Sequence, residues 1–144
     1  MGWPVTYELA LPPTVDSVSA GRRLVSEALS AWGLDGLIYT ATLLTSEVLT
    51  NSVLHARTQI VLTVERVSRD CVSISVHDGS RHVPRRRRHA QDATTGRGLD
   101  LLDRLAQSWE VQSQDGGKTL TFTVGSDVDP WAAYAGIDWM DVEL

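Results

Sequence analysis

Near residue 57 the spacing of apolar residues changes from helical to strand-like, and this change limits the folds open to the chain. Upstream, Val18, Leu24, Val25, Ala28 and Leu29 recur at helical intervals, as do Leu37, Ala41, Leu44 and Val48. The first set predicts a helix capped by Thr14 or Asp16, running to about Ala31 and closed by Gly33. The second predicts a long helix over about Asp35 to Ala56. Downstream, residues 58–66 and 71–78 alternate with period two, as strands with one buried face do. Residues 3–11 alternate in the same way before Pro12-Pro13. Residues 79–97 lose all periodicity, 98–106 read as a short helix, and 108–114 and 118–124 form a hairpin across Asp115-Gly116-Gly117. The order β α α β β loop α β β predicts an α+β two-layer sandwich. Its sheet would be mixed but mostly antiparallel, with helices on one face.

A chain of 144 residues suits one domain and can bury a core without metals or disulfides. The single cysteine, Cys71, leaves no disulfide within the chain, which suits a cytoplasmic protein. No stretch approaches the roughly 18 apolar residues of a membrane helix, and the first residues do not read as a secretion signal. Gly2 with Thr6 fits a loose acylation pattern, but Pro4 and the alternation after it read as an opening strand. A formal charge of −5 speaks against a general nucleic-acid binder. Composition shifts after residue 124, which predicts a folded domain over 1–124 and a separate tail over 125–144. The tail holds five acidic residues, no basic one, and Trp131, Tyr134 and Trp139. It reads equally as a docking tail, a packed helix or a frayed end.

Four features carry chemistry, and each alone also has a bland explanation. Glu47 and Asn51, four apart, share a helix face at the edge of the apolar stripe. Asn offers a neutral oxygen suited to Mg²⁺, and Glu can accept a proton; both also suit a solvated flank. Asp78-Gly79-Ser80 ends a strand, where a carboxylate can accept from an exocyclic base amine and Gly79 permits close approach of a planar base. An ordinary Asp-Gly turn explains it as well. Thr95-Gly96-Arg97-Gly98-Leu99 enters a helix, where free N–H groups and the helix dipole favour phosphate; a flexible linker is the alternative. Gly116-Gly117-Lys118-Thr119 opens the last strand, and Thr119 can bring a hydroxyl near the base, although a glycine hairpin suffices.

Taken in order over residues 14–124, these features resemble the GHKL ATPase superfamily, within it the anti-sigma-factor serine-kinase branch, and in style the small actinobacterial regulators. The resemblance implies ATP and Mg²⁺ as ligands of the domain over 1–124. It makes Glu47 the general base, Asn51 the Mg²⁺ ligand and Asp78 the adenine reader, with Gly79 beside it. It also places Gly96, Arg97, Gly98 and Leu99 in a lid over the phosphates and Thr119 near the adenine. The family's strand-end pattern is Asp-x-Gly-x-Gly, and Ser80 stands here where its first glycine would be.

The function implied by the resemblance is that of a regulatory kinase that phosphorylates an anti-anti-sigma partner on serine and binds a sigma factor, with no direct contact to nucleic acid or membrane. The alternative is a nucleotide-binding module that sequesters a partner without turnover. A histidine-phosphorylating sensor fragment ranks below both, since no dimerisation helix or phosphoacceptor segment is visible. The resemblance also implies a homodimer, which nothing in the chain's own patterning shows. Arg81, Arg85, Arg86, Arg87, Arg88 and Arg97 crowd one loop. They read as a lid on triphosphate, a surface for an acidic partner or tail, a nucleic-acid patch, or a solvated loop. His77, His82 and His89 form no convincing metal set, and His55 reads as structural.

Overall fold

A computed structural model describes residues 5–80, 93–114 and 116–126, without the side chains of 93–98. The order is β1 (Thr6–Leu11), α1 (Asp16–Ala31), a 3₁₀ turn (Asp35–Leu37), α2 (Ile38–His55), β2 (Ile60–Ser68), β3 (Cys71–Asp78), α3 (Ala93–Leu105), β4 (Ser108–Gln114) and β5 (Gly117–Gly125). The arginine run, His82, His89 and the tail beyond Ser126 lie outside the described residues.

Helix α1 begins without the expected cap. Val15 holds the N-cap position with no side-chain bond. Instead the buried Ser17 turns its hydroxyl back to the Pro12 carbonyl, and its N–H reaches Thr14 O. The other end closes as expected: Gly33 has φ +73, and Leu34 N–H donates to Leu29 O while Gly33 N–H donates to Ser30 O. This pair of bonds satisfies carbonyls that would otherwise end the helix unpaired. Asp35-Gly36 splits the predicted second helix, so its first turn is 3₁₀ and α2 proper starts at Ile38.

The five strands form one sheet in the order β1-β2-β3-β5-β4, and every neighbouring pair is antiparallel, in keeping with the mostly antiparallel sheet read from sequence. Alternation puts Leu62, Val64, Val72, Ile74, Val76, Leu120, Phe122 and Val124 on one face, all buried. Val25, Ala28 and Leu29 of α1, Ala41, Leu44, Val48 and Leu49 of α2, and Leu99, Leu102 and Leu105 of α3 complete that core. The opposite face carries hydroxyl pairs, Ser75–Thr121 between β3 and β5 at 2.9 Å and Ser108–Thr123 between the edge strand β4 and β5 at 2.8 Å. The molecule is thus the expected two-layer α+β sandwich with helices on one face.

Connectivity fixes the position of the site. The chain leaves β3 at Asp78, passes through α3 to the edge strand β4, and returns along β5 between β4 and β3. The end of one central strand therefore lies beside the start of the other, with Asp78 directly opposite Lys118.

Candidate functional site

Asp78 is 1% exposed, facing the helices at the end of β3. Burying a carboxylate demands partners, and four donor contacts supply them. Lys118 Nζ lies 3.1 Å from Oδ2 and 3.2 Å from Oδ1. Ser52 Oγ of α2 donates to Oδ2 at 2.7 Å, and the Ser80 N–H donates to Oδ1 at 2.9 Å. Ser52 and Lys118 are themselves buried. The ion pair thus joins the two central strands, and the serine ties the end of α2 to them.

Two glycines permit this approach. A Cβ on Gly117 would run into the carbonyl oxygen of Asp78, so only glycine lets β5 start this close to β3. Gly79 donates its N–H to Thr58 Oγ1 at 2.8 Å, and a Cβ there would meet the Thr58 methyl at 2.9 Å. Thr58 arrives there after Arg57, which has φ 56, where the chain turns out of α2.

Glu47 and Asn51 are half-buried on α2, each one residue before the buried Val48 and Ser52. Because Ser52 bonds to Asp78, the helix end bearing Asn51 sits at the end of β3. In α3 the helix starts five residues earlier than the sequence suggests. Gly96, Arg97 and Gly98 therefore lie in its first two turns and not ahead of them. The N–H of Gly96 belongs to the first four, which have no partner within the helix, while that of Gly98 does not. Leu99 is 1% exposed and packs in the core.

Thr119 does not join Asp78. It pairs with His77 on the opposite face, where its hydroxyl lies 2.8 Å from Nδ1. Strand parity is the reason: Leu120, Phe122 and Val124 point inward, so Lys118 does too and Thr119 points out. Sequence reasoning missed Lys118 and Ser52. Both had a signal, since Ser52 extends the Leu44/Val48 stripe by one more step of four and Lys118 shares the parity of the buried residues.

Among the described residues no group of three or more His, Cys, Asp or Glu could hold a metal ion. Mg²⁺ bound mainly by phosphates and water needs only one or two protein oxygens, and Asn51 can offer one. No helix among the described residues is long and apolar enough to cross a membrane.

Residues 11–124 match the family model of the histidine kinase-like ATPase domain. The chain belongs to that family. Among solved structures it is similar to the RsbU and RsbW domains of Rv1364c from Mycobacterium tuberculosis, with a TM-score of 0.60 and 20% identity. That match covers 83% of this chain but only 31% of the other. At this identity the likeness speaks for the ATPase fold. No curated protein sequence matches the chain.

Proposed function

We propose that the chain is an ATP- and Mg²⁺-dependent regulatory kinase of the anti-sigma-factor type, acting on a serine of an anti-anti-sigma partner. The observation that carries this reading is the Ser52–Asp78 bond. It brings the Glu47/Asn51 helix against a strand-end carboxylate in a chain that matches the ATPase family over residues 11–124. Asp78 accepts from the adenine amine. Asn51 would hold Mg²⁺, which would supply positive charge to the triphosphate during phosphoryl transfer. Gly96, Arg97 and Gly98, at the start of α3, lie over the phosphates, where helix N–H groups favour anions. Glu47 orients the serine hydroxyl and takes its proton as transfer completes. The same reading assigns a cytoplasmic location, a sigma-factor partner, a homodimer and a separate tail over 125–144. The RsbW domain named in the structural match supports it.

Glu47→Ala tests the catalytic assignment. The variant keeps ATP affinity within a few-fold and loses γ-phosphate transfer to an anti-anti-sigma substrate by about 10²–10⁴-fold, the usual worth of a general base. Retained transfer would remove Glu47 from that role.

The alternative is a nucleotide-binding module that sequesters a partner without turnover. Wild-type protein that binds ATP but transfers no phosphate to any of a panel of anti-anti-sigma-type proteins would establish that reading instead.

A further inference from the structure

Asp78 is the group best placed to accept from a base amine, yet its carboxylate is full. An ionised carboxylate has about four lone-pair sites. Ser52 and Lys118 occupy Oδ2, and the Ser80 N–H and Lys118 occupy Oδ1. A base amine can bind only where one of these donors yields. The Ser80 donor is backbone, and Ser52 is buried in α2. The two Lys118 contacts are the longest of the four, and they sit on a flexible four-carbon stem.

Lys118 is unusual in itself. It is the only lysine in a chain with twelve arginines, and it is 6% exposed. An ammonium carries three N–H donors. Nζ contacts both oxygens of Asp78, and no hydrogen bond to another described residue engages the ammonium. Among the described residues no further acceptor meets this buried ammonium, and a ligand can bring one.

We propose that Lys118 is a specificity-determining residue that donates to ring nitrogen N1 of adenine while Asp78 accepts from the neighbouring exocyclic amine. The inference rests on the nucleotide reading of the site and deepens it. Releasing one Lys118–Asp78 contact frees one carboxylate site for the amine and one ammonium N–H for N1. One bond is exchanged for two, and the ion pair stays intact through its second contact. Asp78 and Lys118 then present an acceptor and a donor side by side, matching the adenine edge. Guanine in the same orientation would set its carbonyl against the carboxylate and its N1–H against the ammonium, which opposes binding twice over.

The test compares ATP with 1-deaza-ATP, in which N1 is replaced by CH, by calorimetric titration of the wild-type protein and of Lys118→Met. Wild type is expected to bind 1-deaza-ATP about 10–100-fold more weakly than ATP, the range for one hydrogen bond from a charged donor. Lys118→Met is expected to bind the two alike. Equal binding of both nucleotides by wild type would overturn the role of Lys118 and leave ATP binding standing. Discrimination that persists in Lys118→Met would overturn it too, because another group would then be reading N1. Failure of wild type to bind ATP at all would overturn the nucleotide reading itself. If Lys118→Met does not fold, the wild-type comparison decides, with Lys118→Arg expected to keep the preference for N1.

Discussion

Replacing Asp78 by alanine leaves Lys118 buried beside Ser52 with no counter-charge. Breaking a buried pair by removing one partner costs about 3–5 kcal/mol, because the remaining charge is left desolvated. Chemical denaturation of Asp78→Ala should therefore show a loss of that size, and Asp78→Leu combined with Lys118→Met should recover most of it. An Asp78→Ala variant as stable as wild type would mean that the pair is not closed in solution. The same residues show how far single positions can be read from sequence. Asp78 stood out because a carboxylate followed by glycine ends an alternating strand. Its partners did not, because Ser52 and Lys118 lie 26 and 40 residues away and meet it only through tertiary packing. Parity along the last strand was legible all the same, and it places Lys118 inward and Thr119 outward.

At the scale of elements, the close approach of β3 and β5 depends on Gly117. A Cβ there meets the backbone carbonyl of Asp78, which cannot rotate away as a side chain can. Gly117→Ala should cost about 2–3 kcal/mol, in the range for overpacking a tight site, and weaken ATP binding with it. Gly116 is the contrast: its φ is +82 and the space around it is open. Gly116→Asn should cost no more than about 1 kcal/mol, since asparagine tolerates the left-handed region. Equal losses for the two substitutions, measured by urea unfolding, would contradict the packing argument. Apart from the start of β1, which lies at Thr6 and not at residue 3, strand limits were legible to within two residues because alternation stops where burial stops, as at Cys71–Asp78. The start of α3 was not. Gly96 read as part of the loop over 79–97, yet the backbone is helical from Ala93, while Leu99, Leu102 and Leu105 of the same helix pack in the core.

For the whole molecule, the order of elements and the single helical layer came from the switch in apolar period, which a chain of this length can satisfy in few ways. The purely antiparallel pairing did not, because period two is the same in parallel and antiparallel strands; only the return of β5 between β3 and β4 decides it. That return builds the site, since it sets Lys118 against Asp78 under the end of α2. Everything proposed for this site depends on its taking MgATP, and thermal unfolding of the wild-type protein with and without MgATP decides that point. At about 100 times Kd, bound nucleotide should stabilise the fold by roughly 2.7 kcal/mol and raise Tm by roughly 5–10 °C. An unchanged Tm at millimolar MgATP would refute nucleotide binding and leave the Asp78–Lys118 pair as an internal clasp of a domain that binds no nucleotide.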